Sequence, residues 1–219
     1  CMVVGTVPRL IFSENRYCLI KACHSLGLPY IETGGAYFDQ SMERALEAAV
    51  EQGKEYAITI DYDSVFKDSH IQRLVALMDL YPQAGAIAAM QAMRGPDGKL
   101  LISRDPGDDI SEADVSSDIF RVRSAHFGLT VFRTEVLKKM AKPWLRHTPD
   151  DKGGWGEGRI DADIGFWRIL NAVSQAYVTP RVNVGHEQLM VSWVDSKWNV
   201  YHQHIDDWHR SGEPKQVRG

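Results

Sequence analysis

The residues of this chain best suited to chemistry are two aspartates, Asp61 and Asp63, separated by one tyrosine. They follow a short apolar run, residues 56–60, whose β-prone composition predicts a buried strand. Side chains two apart on an extended segment point the same way, so both carboxylates can face one spot just past the strand's carboxyl end. Carboxylate pairs there suit Mg²⁺ or Mn²⁺, ions that usually bring substrate phosphates. Two aspartates at this spacing are more often only polar residues at the end of a strand. Whether they form a metal site has to be judged from the rest of the chain.

Composition limits the class of protein. The chain has 219 residues, of which 44% are hydrophobic and 25% charged, which predicts one globular domain over residues 1–219. The net charge of −4 gives no bulk attraction to nucleic acid or to an anionic membrane. Three cysteines do not make a disulfide framework. No apolar run approaches the roughly 20 residues that span a bilayer, and no signal peptide is apparent, so we expect a cytoplasmic protein without membrane insertion.

The first half of the chain alternates between strand and helix patterns. The predicted strands are 3–7, 30–33, 56–60 and 84–93, and the predicted helices are 15–26, 41–52 and 69–80. Ser41 is the expected N-cap of the second helix. Such alternation predicts an α/β fold with a mostly parallel, doubly wound sheet flanked by helices.

The second half is less regular and predicts a smaller, mixed part of the fold. Residues 94–118 are rich in Gly, Pro and Asp and predict a long, partly mobile loop with a turn at 96–98. One or two strands are expected over 119–133, a helix over 164–176, and a last strand over 177–184 that breaks at Pro180. The segment after Trp193 is interpreted as a solvated tail. Its histidines, His202, His204 and His209, have a spacing that also suits metal ligands.

Five segments in order give this chain a resemblance to a known family. They are an Arg-bearing helix start (41–45), an apolar strand ending in D-x-D (58–64), a strand (127–133), a tryptophan–glycine–acidic loop (154–164), and Gly-His-Glu (185–187). Together they resemble the nucleotide-sugar-dependent glycosyltransferases of the GT-A fold, most closely the family-two group. The resemblance covers roughly residues 3 to 190.

That resemblance implies a division of labour. Residues 1–94 would bind the nucleotide-sugar donor, and residues 95–219 would hold the acceptor and the catalytic base. It implies Mn²⁺ or Mg²⁺ on Asp61, Asp63 and His186. The acceptor stays open between a glycan, a protein, a small molecule and a modified nucleobase. The expected donor-binding residues are Pro8, Glu32, Arg44, Asp61 and Trp155, and the expected base, which would favour inversion, is Glu157, Asp161 or Asp163.

Other interpretations of the same residues stay open. Asp61-x-Asp63 after an apolar strand also fits a haloacid-dehalogenase-like phosphohydrolase with Asp61 as nucleophile, although that motif normally lies on the first strand. A nucleotidyltransferase would lack its Gly-rich phosphate loop here. A non-catalytic module that binds sugar nucleotides or glycans is a third possibility. Nucleoside diphosphate binding that requires a divalent metal favours the transferase, and turnover of small phosphate esters favours the phosphohydrolase.

Overall fold

The computed structural model describes residues 1–7, 11–94, 99–105 and 108–217. Pro8 and the turn predicted at 96–98 lie outside this part of the chain. The elements in chain order are β1 (Met2–Val7), α1 (Ser13–Leu26), β2 (Tyr30–Gly34), α2 (Phe38–Glu51), β3 (Tyr56–Ile60), β4 (Ser64–Val65), α3 (Asp68–Leu80), β5 (Ala84–Met90), α4 (Glu112–Ser116), β6 (Phe120–Val122), β7 (Leu129–Arg133), α5 (Thr134–Leu137), α6 (Ala162–Val173), β8 (Gln175–Asn183), β9 (Gly185–His186), β10 (Met190–Val194), β11 (Val200–His204) and α7 (Ile205–Ser211).

A seven-stranded sheet with the order β2-β1-β3-β7-β5-β8-β6 organises the fold. The pairs β1–β2, β1–β3 and β5–β8 are parallel. Strand β7 runs antiparallel to both of its neighbours, β3 and β5, and β6 runs antiparallel to β8. Five strands therefore share one direction, and the predicted mostly parallel α/β sheet is confirmed. The antiparallel strand between β3 and β5 was not expected.

Hydrophobic residues cover both faces of this sheet, because neighbouring side chains on a strand point to opposite faces. Val4 belongs to a core with helices α2, α5 and α6, which also contains Phe132, Phe166 and Trp167. Val3 belongs to a second core with helices α1 and α3 on the other face. Strands buried on both faces read as continuous apolar runs, as residues 56–60 do.

Most predicted elements of the first half are present, but the predicted start of α2 is wrong. The helix begins at Phe38, one turn before Ser41, and Ser41 is a buried helical residue rather than the N-cap. The reason is packing: the Phe38 ring contacts Phe127 edge-on at 5.8 Å. This places Phe38 at helical spacing before the buried Met42 and Ala45, so tertiary contact overrides the local cap signal.

In the second half, the segment predicted as a loop contains structure. Helix α4 begins with a capping box in which Ser111 and Asp114 bond each other's backbone N–H groups. The residues that flank 95–98 run antiparallel, joined by a bridge between Ala92 and Leu100. Strand β8 continues through Pro180, but its register with β5 is irregular at that point. A proline lacks the N–H that a ladder requires.

The segment after Trp193 is folded, although His202 and His209 are exposed, as predicted. Strands β10 and β11 form an antiparallel hairpin, and α7 packs on it through Trp193 and Trp208, whose ring centroids are 5.2 Å apart. His204 is buried at the junction and caps α7 by accepting a hydrogen bond from the Asp206 N–H. Among the residues that the structure describes, no helix is long and apolar enough to cross a membrane.

Candidate functional site

The two aspartates lie in a turn, residues 61–64, that buried contacts hold at the carboxyl end of β3. The Asn15 side chain is 1% exposed, and its Nδ2 donates to the carbonyls of Asp61 and Ser64, both at 2.7 Å. From the other side, the Glu187 N–H donates to the Asp63 carbonyl at 2.8 Å. A short pairing between β4 and β9 then brings His186 opposite Ser64. The turn is therefore anchored to both α1 and the C-terminal part of the sheet.

The Asp63 carboxylate is buried and faces two cationic side chains. Its Oδ2 lies 2.9 Å from Nη2 of Arg94 and 3.2 Å from Nε2 of His186. The other ring nitrogen of His186, Nδ1, is 2.9 Å from the Ala92 carbonyl and must carry a proton to bond it. Burial alone would lower the pKa of His186, but the bonds to Asp63 and Ala92 outweigh it, and the pKa is raised. Because the Nδ1 proton bonds Ala92, the bond to Asp63 requires a second proton on Nε2, and His186 can bind a cation through Nε2 only when that proton is lost.

Asp61 differs from Asp63 because none of the described residues forms an ion pair with it. Its Oδ1 is buried and has no hydrogen-bond partner among the residues described. Burial, with a smaller contribution from the charge of Asp63, raises the pKa of Asp61 to about 7. An unpartnered buried carboxylate oxygen is costly unless a ligand or ion satisfies it.

These residues supply some, but not all, of the ligands that a divalent cation needs. Among the described residues, no group of three or more His, Cys, Asp or Glu side chains converges on one point suited to a metal ion. Asp63 Oδ2 and His186 Nε2 are nevertheless 3.2 Å apart, close to the about 3 Å expected between neighbouring ligands of an octahedral ion with bonds of 2.0–2.1 Å. Mg²⁺ is usually held by one or two carboxylates together with water and substrate phosphates. Asp63 supplies one such carboxylate with His186 beside it, and this pair meets that lower requirement without a third protein ligand.

Two residues that the sequence pattern did not single out, Gln91 and His126, complete the floor of the site. Gln91, at the end of β5, donates to Ser64 Oγ at 3.1 Å and to the Gly185 carbonyl at 3.2 Å. His126 lies 2.8 Å from the Ala89 carbonyl through Nε2, and its Nδ1 accepts from the Gly128 N–H at 3.0 Å. These bonds fix one tautomer, and burial lowers the pKa of His126 to about 4. The rule that strand ends line ligand sites, applied to β5 as well as β3, would have pointed to Gln91 and Arg94.

Only a glycine fits at position 128. A Cβ at this position would lie 2.5 Å from Gln91 Oε1, 2.7 Å from Ser64 Oγ and 2.8 Å from His126 Nδ1. The side chains that support the aspartate turn therefore close over the backbone before β7, and only a residue without a side chain allows that approach.

A cleft of about 430 Å³ opens above this floor. Asp61, Asp63 and His186 line it together with Asp161 and Asp163, which flank the start of α6. The structure thus brings together five residues predicted for the metal and the base. Arg94, Tyr37, Phe38 and His147 form further parts of the wall.

The candidate bases have different surroundings. The Asp161 carboxylate is bonded by Arg159 Nε at 2.9 Å and is half exposed. Asp163 Oδ1 accepts from the Ile164 N–H at 2.8 Å and has no ion pair among the residues described. Glu157 is exposed and does not line the cleft. Asp161 would have to leave Arg159 before its oxygens could reach an acceptor hydroxyl, whereas Asp163 would not, which favours Asp163.

The residues predicted to bind the donor are placed less centrally. Glu32 is paired with Arg16 at 2.7 Å on the α1 side of the sheet. Arg44 Nη2 donates to the Gly34 carbonyl at 3.2 Å, at the end of β2. Trp155 is 61% exposed and lies outside the cleft wall, its ring centroid 6.4 Å from that of His147. Pro8 lies outside the described residues.

A second cavity, of about 640 Å³, adjoins the cleft and shares Ala36, Tyr62 and Arg94 with it. Its walls are mainly apolar, and the rings of Phe12 and Tyr62 lie nearly parallel there with centroids 6.3 Å apart. The C-terminal hairpin closes the far side through Leu189 and His204. The aspartate turn therefore lies between the cleft and this second cavity, and its Tyr62 lines both.

Comparison with known proteins identifies the fold. No family model matches the chain, and no curated protein sequence does. A solved structure of the protein A197 from STIV matches with a TM-score of 0.62 and 13% identity over 93% of this chain and 95% of that one. GalNAc-T7, solved with UDP, GalNAc and Mn²⁺, matches with a TM-score of 0.54 and 12% identity over 84% of this chain but only 43% of that one. CMP:2-keto-3-deoxy-manno-octonic acid synthetase with CTP matches at 0.46, too weakly for an argument.

Likeness at 12 to 13% identity concerns the fold alone. The mixed seven-stranded sheet flanked by helices is GT-A-like, as the resemblance in the sequence implied. A fold of this kind hosts different reactions, so the function has to be argued from the site.

Proposed function

We propose that this protein is a metal-dependent glycosyltransferase that moves a sugar from a nucleotide-diphosphate donor to an acceptor hydroxyl. The observation that carries the proposal is the single cleft shared by Asp61, Asp63 and His186 on one side and Asp161 and Asp163 on the other. A transferase of this type needs two such groups: one where the diphosphate leaves, and one where the acceptor hydroxyl gives up its proton.

Each group in the cleft has a task in this reaction. Asp63 and His186 would hold Mn²⁺ or Mg²⁺, with Asp61 beside them, and the ion would supply positive charge to the departing diphosphate. Arg94, at the rim, adds a guanidinium that can pair with phosphate oxygens. Asp163, or Asp161, would accept the proton of the acceptor hydroxyl during attack on the anomeric carbon, which inverts its configuration.

The neighbouring cavity suits the nucleoside of the donor. It adjoins the phosphate side of the cleft at Tyr62 and Arg94, and its Phe12 and Tyr62 rings offer aromatic surface to a flat base. The Mn²⁺ and UDP of GalNAc-T7 are consistent with this assignment. The acceptor stays open between a glycan, a protein, a small molecule and a modified nucleobase.

A donor screen tests the proposal. The full chain is incubated with Mn²⁺ and a panel of UDP, GDP, ADP and CMP sugars, and release of the free nucleotide is measured. We expect hydrolysis of at least one donor, loss of this activity with EDTA, and its loss in Asp63→Asn, which keeps the shape of the side chain but not its charge. Asp151→Asn, an exposed change outside the cleft, serves as the matched control and should behave as the unaltered protein.

Two outcomes contradict the proposal. One is that no donor is hydrolysed and no nucleoside diphosphate binds in a metal-dependent way. The other is that Asp63→Asn retains the full metal-dependent activity. Hydrolysis of small phosphate esters in place of nucleotide sugars would favour the phosphohydrolase.

A further inference from the structure

A third cavity, of about 530 Å³, lies at the opposite end of the sheet and shares no residue with the cleft. Its walls come from Arg104, Asp105 and Asp108, from the edge strand β6 with the residue after it, and from helix α6. Four arginines from these three parts of the chain line it: Arg104, Arg121, Arg123 and Arg168. Such convergence is unusual in a chain with a net charge of −4, because like charges repel one another.

Two of these arginines are neutralised within the protein. Arg104 is bonded by Asp114 at 2.7 Å and by Asp108 at 3.4 Å, and its guanidinium lies over the Phe120 ring at 5.8 Å. Arg123 Nε lies 3.5 Å from Asp105 Oδ1, and both side chains are well exposed. The two carboxylates in the cavity wall, Asp105 and Asp108, are thus already paired.

Arg121 and Arg168 remain unpaired. Both are exposed, and neither has a hydrogen bond or an ion pair within the part of the chain that the structure describes. Arg121 comes from β6, and Arg168 comes from α6, one turn before Asn171. Two unpaired positive charges in one concave wall match the charge of a phosphate dianion, and guanidinium groups bind phosphate oxygens in pairs.

Hydrogen bonds of Asn171 tie the floor of this cavity together. Asn171 donates through Nδ2 to the Arg123 carbonyl at 2.8 Å and accepts from the Ala176 N–H through Oδ1 at 3.1 Å. One side chain therefore ties α6 to the segment after β6 and to β8. These bonds hold the arginine-bearing elements together, which lowers the entropy cost of binding a ligand between them.

We propose that this cavity is a second binding site, for a small phosphorylated ligand held by Arg121 and Arg168. Its volume lies within the range of small-molecule sites, about 300–1,000 Å³. A nucleic acid strand is disfavoured by Asp105 and Asp108 in the same wall and by the negative net charge. The site does not depend on the proposed transferase activity.

Calorimetric titration of the full chain, with EDTA present and at low salt, tests this site with three probes: inorganic phosphate, glucose 1-phosphate and AMP. We expect binding of at least one probe with a dissociation constant below about 1 mM. Arg121→Gln/Arg168→Gln should weaken that binding by about tenfold or more. Arg73→Gln, a change at an exposed arginine on α3, should leave it unchanged.

A second variant is expected to strengthen binding of the probe, and misfolding cannot produce that result. Asp105→Asn frees Arg123 from its carboxylate and should tighten binding about two- to fivefold. Equal affinity for all three probes would identify the phosphate group as the ligand, and tighter binding of glucose 1-phosphate or AMP would identify its organic part as well. The proposal is overturned if none of the probes binds below about 10 mM, or if Arg73→Gln weakens binding as much as the double variant.

Discussion

Arg94 Nη2 lies 2.9 Å from Asp63 Oδ2, the same oxygen that faces His186. A guanidinium therefore occupies the side of the carboxylate that a divalent cation would also need. Arg94 additionally donates to the Tyr62 hydroxyl at 3.3 Å, which holds it against the turn. In the proposed reaction, Arg94 would exchange Asp63 for the phosphate oxygens of the donor when the metal binds.

The first prediction concerns this competition. Arg94→Gln removes the positive charge next to Asp63 and should tighten Mn²⁺ binding about three- to tenfold in the absence of nucleotide, as expected for loss of one partly exposed ion pair. Calorimetry, or the EPR signal of free Mn²⁺, measures the affinity. Arg73→Gln is the control, because this exposed arginine on α3 does not line the site. Unchanged or weaker Mn²⁺ binding in Arg94→Gln would show that the two cations do not compete.

The second prediction concerns the base. Asp163→Asn should reduce the rate of sugar transfer about 10²- to 10⁴-fold while donor affinity stays within about twofold, the signature of a lost general base. Asp161→Asn should have a smaller effect, because the Asp161 carboxylate is already occupied by its contact with Arg159. Single-turnover rates and donor binding are measured separately. Glu157→Gln is the exposed control, and a larger loss in Asp161→Asn than in Asp163→Asn would reverse the assignment.

The third prediction concerns packing beneath the site. Gly128→Ala places a Cβ within 2.8 Å of Gln91, Ser64 and His126 and should lower the free energy of unfolding by about 1–3 kcal/mol, the usual cost of overpacking. Gly156→Ala is the matched control, because a Cβ there meets no atom within 4 Å. Urea unfolding of both variants gives the comparison. If the two variants are equally stable, the close approach around Gly128 has no energetic weight.

The fourth prediction concerns acid stability. Burial lowers the pKa of His126 from its ordinary 6.5 to about 4 in the folded protein. Between these values the unfolded chain binds a proton that the folded chain does not, so this residue reduces stability as the pH falls from about 6.5 to 4, by roughly 3 kcal/mol in total. Asp61, whose pKa is raised to about 7, has the opposite effect. Its contribution to the free energy of unfolding is present at low pH and is lost as the pH rises through about 7.

The difference between two proteins isolates the histidine. His126→Gln keeps a donor for the Ala89 carbonyl but does not titrate, so its unfolding free energy should fall less steeply than that of the unaltered protein between pH 6.5 and 4. Urea unfolding at half-unit steps of pH gives both curves. Parallel curves would mean that His126 is charged in the folded state or titrates alike in both states.

The sequence alone determined the local parts of this molecule. The alternation of strand and helix patterns predicted the parallel α/β sheet, and the apolar run before Asp61 placed both aspartates just past the end of a strand, although in a turn rather than in the expected extended segment. These features follow from side-chain period and from the direction of neighbouring residues, which act over a few positions. The start of α2 was missed because a ring contact with Phe127, 89 residues along the chain, outweighs the cap signal of Ser41.

Only the tertiary structure decided which distant residues share the site. It inserts the antiparallel β7 between β3 and β5, which places His126 and Gly128 beneath the aspartate turn. It brings Arg94 and His186 to one carboxylate oxygen, and it leaves Glu157 and Trp155 outside the cleft. Strand order and register depend on the summed packing of both sheet faces, so no short stretch of sequence contains them.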